Sequence, residues 1–280
     1  VKERTRVAEQ PRGPSPKKVL IVNADDWGRS EGETNIALDC YRRGRISSVS
    51  AMVFMKDSKR AAELAKEHGL NVGLHLNLDE KLTENHCSET LTRQHNKIAT
   101  FLTRTKWSQL LYNPFLRTAF SYSCQAQLAE FARLFGKLPS HIDGHHHMHL
   151  CANVLLSREF APGTKMRRNF SFSRGEKSIA NRVYRAVVDA WLGYRYMLTD
   201  YFFDLSQSLN ENKIQRVIAL ARAMNVELMT HPIVQREAAY LQGEQLGFLL
   251  RDLTLGSYAN LKSNHERRRT EAISSPHHLN

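Results

Sequence analysis

From Lys18 onward, short apolar runs alternate with stretches whose apolar residues recur at helical spacing. Lys18–Ala24 (KVLIVNA), Ser48–Phe54 (SVSAMVF) and Val72–Leu78 (VGLHLNL) have the Val, Ile and Leu density of buried strands. Between them, Gly32–Gly44 and Ser58–His68 read as helices, the second with Ser58 as its N-cap and Gly69 as its stop. The rhythm breaks over Asp79–Tyr122, polar at first and then aromatic, which is too long for an ordinary strand-to-helix connection. It resumes with a helix at Ser123–Gly136, a fourth strand at Pro139–Asp143 and a helix through Leu155. Further strands are expected near Lys165–Arg168 and Tyr196–Thr199, with helices at Glu176–Trp191 and Asn212–Met224. Val226–Thr230 is the last strand, ending at His231-Pro232.

About seven strands alternating with helices predict a parallel α/β fold. An open doubly wound sheet and a barrel both satisfy the alternation, and both gather functional residues at the C-terminal strand ends. A deformed, TIM-like β/α barrel is favoured, because closure turns all of those ends toward one centre. The expected organisation is a polar, proline-containing tail over 1–16, a single domain over 17–262 with an insertion at about 79–122, and a flexible tail over 263–280.

Composition adds limits. A chain of 280 residues with 41% hydrophobic content can bury a sizeable core. No apolar run is long enough to span a bilayer. The start shows no basic-then-apolar leader, and beginning at Val1 leaves room for a segment ahead of it. Cys40, Cys87, Cys124 and Cys151 form no close motif, so reduced thiols and a cytoplasmic setting are expected. The net charge of +12 would favour anionic partners, but much of it sits near the ends, as in Arg267, Arg268 and Arg269. Solvated tails are the simpler reading, and a nucleic-acid role is not favoured.

Five of the 13 histidines fall in His141–His149, together with Asp143. Imidazole and carboxylate bind divalent cations at neutral pH. In an extended segment His145, His147 and His149 would share a face, and Asp143 could orient a ligand ring. Asp25 and Asp26 directly follow the first strand, a costly pairing unless a cation compensates it. Turned differently, one could bind metal while the other serves as a base. His75 alternates with Asn77 on one face of the third strand, and His231 ends the last strand as a candidate general acid. Taken alone, His75 and His231 would be ordinary structural histidines. With no glycine-rich phosphate loop and no nucleophile elbow, metal-assisted hydrolysis of an amide or ester is the leading chemistry.

Val22-Asn23-Ala24-Asp25-Asp26-Trp27-Gly28, Gly73-Leu74-His75-Leu76-Asn77-Leu78, His141–His149 and Thr230-His231-Pro232 occur in the order seen in the YdjC-like carbohydrate deacetylases, which resemble chitooligosaccharide deacetylases. The resemblance spans Lys18 to Leu255. It implies a deformed β/α barrel and one divalent ion, Mg2+ or Zn2+, held by Asp26, His75 and His145. It also implies Asp25 as general base, removing a proton from a water that attacks the acetamide of an N-acetylated sugar or oligosaccharide. His231 is the candidate acid for the leaving amine. Asp143, His147, Asn77 and Trp27 become supporting or substrate-facing candidates, and His141 and His149 supporting or structural ones. Trp27 stands where the family usually has Phe, which should alter pocket shape. Trp107, Tyr112 and Phe115 could stack on sugar rings, although packing over the barrel end is the favoured reading.

Two competing classes remain at this level: a metal amidohydrolase or esterase acting on a non-sugar substrate, and a non-enzymatic module binding anions through basic tails. A homodimer is also left open.

Overall fold

A computed structural model describes residues 18–85, 87–172 and 175–261. The expected tails, with their arginine run, lie outside the described residues.

Six parallel strands form one sheet: β1 (Leu20–Trp27), β2 (Ser48–Ala51), β3 (Val72–Leu76), β4 (Ile142–Gly144), β5 (Tyr201–Asp204) and β6 (Val226–Thr230). The spatial order is β4-β3-β2-β1-β6-β5, so β1 is central. Around it pack α1 (Glu31–Arg42), α2 (Ser58–Glu67), α3 (Glu89–Thr103), α4 (Arg117–Phe135), α5 (Ala152–Leu156), α6 (Ile179–Arg195), α7 (Leu205–Ser208), α8 (Glu211–Ala221), α9 (Gln235–Gln242) and α10 (Glu244–Leu250).

The two faces of the sheet differ in chemistry. Leu20, Val22 and Ala24 of β1, Leu74 and Leu76 of β3, and Val226 and Leu228 of β6 belong to the main apolar core. Each fully buried Val or Leu side chain among them contributes about 1.5–3 kcal/mol. The alternate positions Asn23, Asp25, Ser50, His75, Asp143 and Glu227 are also buried, and are linked by hydrogen bonds and ion pairs. Period-two alternation thus puts a polar layer on the face opposite the core.

Among the described residues the sheet is a curled half-barrel of six strands, one fewer than the roughly seven expected, and its edges β4 and β5 do not pair to close it. The expected strand at Lys165–Arg168 makes only isolated bridges, Met166 with Ile142 and Lys165 with Met197. The segment nevertheless touches both sheet edges. Arg167 N–H donates to Ile142 O on one side, and Ser171 N–H donates to Phe202 O on the other. The strand expected at Tyr196–Thr199 forms instead at Tyr201–Asp204, where three consecutive aromatics favour the extended, half-buried state.

The 79–122 stretch is not a long loop. Ser88 caps α3 by accepting from Leu91 N–H, and Leu91, His95, Ile98 and Leu102 bury one helical face. α4 begins at Arg117, earlier than the expected Ser123. In α2, Asp57 takes the cap position and Ser58 lies inside the helix, with its hydroxyl bonded to Met52 O and Met55 N–H. Gly69 does mark the stop, at φ +63°.

Candidate metal centre and active site

Regular alternation would send Asp26 the same way as Ala24, into the apolar layer. A break in the β1–β2 register between Ala24 and Trp27 prevents this, and Asp26 takes φ +63°. Bulges of this kind re-aim side chains beside active sites. Asp25 and Asp26 therefore both reach the polar face, and Trp27 receives the outward direction. Its indole N–H donates to Ala61 O on α2, and the ring is fully buried in the core. Trp27 thus lies away from the site and does not shape a pocket there.

Asp26 Oδ1 lies 2.9 Å from His145 Nδ1 and 3.3 Å from His75 Nε2. The donor atoms of Asp26, His75 and His145 all fall within 4.8 Å of one another, and all three residues are buried. Oδ2 faces elsewhere, 4.0 Å from both His231 Nε2 and the Arg29 guanidinium. Burial opposes the charge on Asp26, but hydrogen bonds and charge from His145 and His75 hold its carboxyl well below the usual carboxylate range.

His75 and Asp143 face each other across β3 and β4, with His75 Nδ1 2.8 Å from Asp143 Oδ1. This leaves Nε2 for the donor cluster, the arrangement by which a carboxylate orients a ligand imidazole. Burial opposes a charge on His75, but Asp143 and Asp25 raise its pKa to about 10.

The histidine turn is not extended. After Gly144, His146 and His147 take φ +48° and +59° within a 3-10 turn, so the expected shared face does not form. A Cβ at Gly144 would sit 2.7 Å from His149 N, and only glycine lets the chain fold back so closely. His145 alone reaches Asp26. Its Nε2 is buried without a hydrogen bond, although Glu80 Oε2 lies 2.8 Å away. His146 turns outward to Asp79. His147 packs edge-on against Phe170, and burial, with Arg167 and His149 nearby, drives its pKa well below the ordinary value. His149 supports the Arg167 carbonyl, and His141 stacks on Tyr258 beneath the site. Burial pushes both His141 and His149 down to about 4. Asn77 is a turn residue whose side chain binds the backbone of Asp79 and Glu80.

Several residues escaped the sequence reading. Arg167 is wholly buried and contacts Asp25, Asp143 and Glu227 at 2.6–2.7 Å. Its two terminal nitrogens grip both oxygens of Asp25. Asp25, His75 and Asp143 also cluster closely enough for an ion, but the guanidinium already supplies the positive charge on those two carboxylates. Ser50 Oγ donates to Asp143, and Tyr258 Oη donates to Glu227. Glu80 links Arg29 to the rim of the cluster. A charged residue inside the apolar VELMT strand was the available signal for Glu227; Arg167 had none beyond its place in an expected strand.

The residues fit a divalent ion by their donor chemistry. The donor set of one carboxylate and two imidazoles, all buried, suits a divalent cation, and Asp143 already orients the His75 ring toward it. His231 stands at the end of β6, partly exposed, with its backbone N–H fixed by Glu237.

The family model of YdjC-like proteins matches residues 19–272. A carbohydrate deacetylase of Danio rerio is 35% identical over 142 residues, which is 50% of this chain and 45% of the relative. A chitooligosaccharide deacetylase of Serratia marcescens is 34% identical over 135 residues, 48% and 51% of the two chains. The chain thus spans about half the length of the curated relatives it matches. A solved structure from Enterococcus faecalis V583, described as a "putative cellobiose-phosphate cleavage protein", has a TM-score of 0.62 at 19% identity. It covers 87% of this chain and 98% of its own, a likeness of fold.

Proposed function

Because the chain belongs to the YdjC-like family, we propose that it is a metal-dependent hydrolase that removes the acetyl group from an N-acetylated sugar or oligosaccharide. One observation carries this reading: Asp26, His75 and His145 converge from three strand ends, with Asp25 held beside them. In this reading Asp26, His75 and His145 hold one divalent ion, zinc or magnesium, which when bound supplies Lewis-acid polarisation of the acetamide and acidifies water.

The protein's own groups account for the proton movements. Asp25 accepts a proton from the attacking water, and Arg167 and Asn23 fix the direction of its oxygens. Asp143 holds His75 by Nδ1 and keeps that ring in place. His231, on the open side of Asp26, donates to the departing nitrogen. In the same reading the curled sheet and its bridging segment form a deformed barrel, one domain over about 17–262. Four unpaired cysteines fit a cytoplasmic setting.

The test is to load the purified chain with zinc or magnesium, measure bound metal, and follow acetate release from N-acetylglucosamine oligomers with and without chelator. Chelator-sensitive acetate release is the expected result. Stoichiometric metal with no acetate from a broad panel of N-acetyl sugars would shift the reading to a non-sugar amide or ester. Failure to bind metal would remove the site assignment itself.

A further inference from the structure

One face of α6 has no partner among the described residues. The helix contributes Val188 and Leu192 to the buried core. On its other side Ile179, Val183, Tyr184, Val187, Trp191 and Tyr194 are exposed, Tyr194 by 92%. At 100° per residue these positions, with Ala180, Ala186 and Ala190 among them, fill an arc of about 160° that contains no charge. Trp191 Nε1 donates to Leu155 O, which ties this face to α5. On the other side of α5, Asn153 binds the backbone of Asn113 between exposed Trp107, Leu111 and Phe115. Apolar surface therefore flanks α5 on both sides, and exposed apolar patches of this kind mark interaction sites.

The charges around this surface are mainly positive. Exposed Lys177 lies just ahead of α6, exposed Arg182 lies on α6 beside the arc, and exposed Arg158 lies just beyond α5. The nearby acids Asp189 and Glu176 already pair with Arg168 and Lys213. A second copy of this chain would bring one mainly basic border against another. An anionic lipid surface complements both the apolar arc and its basic borders, with Trp and Tyr suited to the headgroup boundary. No helix among the described residues is long and apolar enough to cross a membrane, so contact of this kind would lie in the interface.

We propose that α6 and the turns beside α5 dock the protein onto a membrane surface rich in anionic lipid. The site stands independently of the active-site reading. It is tested by co-sedimenting the full chain with vesicles of phosphatidylcholine alone or mixed equally with phosphatidylglycerol. The expected result is partition onto the mixed vesicles at least about tenfold stronger, weakened by salt, with blue-shifted tryptophan emission. Val187→Glu/Tyr194→Glu, both at exposed positions, should reduce that partition about tenfold or more, as should Lys177→Glu/Arg182→Glu. Equal partition onto both vesicle types, or partition unchanged in both variants, would overturn the proposal. So would a dimer by light scattering that Val187→Glu/Tyr194→Glu converts to monomer, since the face would then be an interface between copies.

Discussion

Arg167 lays its two terminal nitrogens along both oxygens of Asp25, at 2.6 and 2.7 Å, wholly out of contact with solvent. The same guanidinium also meets Asp143 and Glu227, so one cation organises three buried carboxylates. Breaking a buried pair by removing one partner costs about 3–5 kcal/mol, because the surviving charge is left uncompensated.

Arg167→Met is therefore expected to lose about 3–5 kcal/mol in denaturant unfolding. Acetate release should fall about a hundredfold or more as Asp25 loses its orientation. Arg167→Lys should regain part of the stability but little of the rate, because an ammonium cannot bridge two carboxylate oxygens as a planar fork does. Equal rates for wild type and Arg167→Lys would show that the fork does not position Asp25.

Asp143→Asn tests the support of His75. Its carboxylate fixes the ring from Nδ1, and losing such a partner costs about 10–100-fold in metal affinity. Competition against a calibrated chelator reads the change directly. An unchanged metal affinity would exclude His75 as a ligand held in this way.

Stability should carry a signature of Glu227. Burial lifts its carboxyl from 4.5 to about 7, against the opposing pull of Arg167. The folded state thus holds this proton more tightly than the unfolded chain does. The resulting stabilisation is complete below about pH 4.5 and is lost as pH rises toward 7, by up to about 3 kcal/mol. His141 and His149, pushed down to about 4, act in the opposite sense: stability from them is lost as pH falls below about 6.5. The difference between wild type and Glu227→Gln isolates the carboxyl. It should favour the wild type less at pH 7 than at pH 4.5, and a flat difference would contradict the assignment.

His231→Gln should lower kcat by about 10²–10⁴ while leaving KM and metal content nearly unchanged. Full activity in that variant would mean that another group, or water, protonates the leaving nitrogen.

Much of this site was legible because strand ends mark it in sequence. Asp25, Asp26, His75, His145 and His231 all follow or end apolar runs, and parallel α/β topology brings such ends together. The counterions were hidden. Arg167 sits in a segment held by isolated bridges, and two of its partners, Glu227 and Asp25, lie 60 and 142 residues away in sequence. Spacing carries no trace of such a meeting. The histidine turn misled for a different reason: two left-handed residues in succession abolish the alternation that an extended segment would show. In the 79–122 stretch, polar residues obscured a helix whose apolar positions Leu91, Ile98 and Leu102 have ordinary spacing.

The left-handed backbone at position 26 also restricts which amino acids can occupy it. Glycine, asparagine, aspartate and histidine tolerate that conformation best, whereas branched and bulky residues are strained there. Of this short alphabet, only aspartate brings a permanent negative charge at neutral pH. Sterics therefore shortlist the side chain before coordination chemistry chooses among the survivors. A glutamate grafted into this position would have the right charge on the wrong backbone.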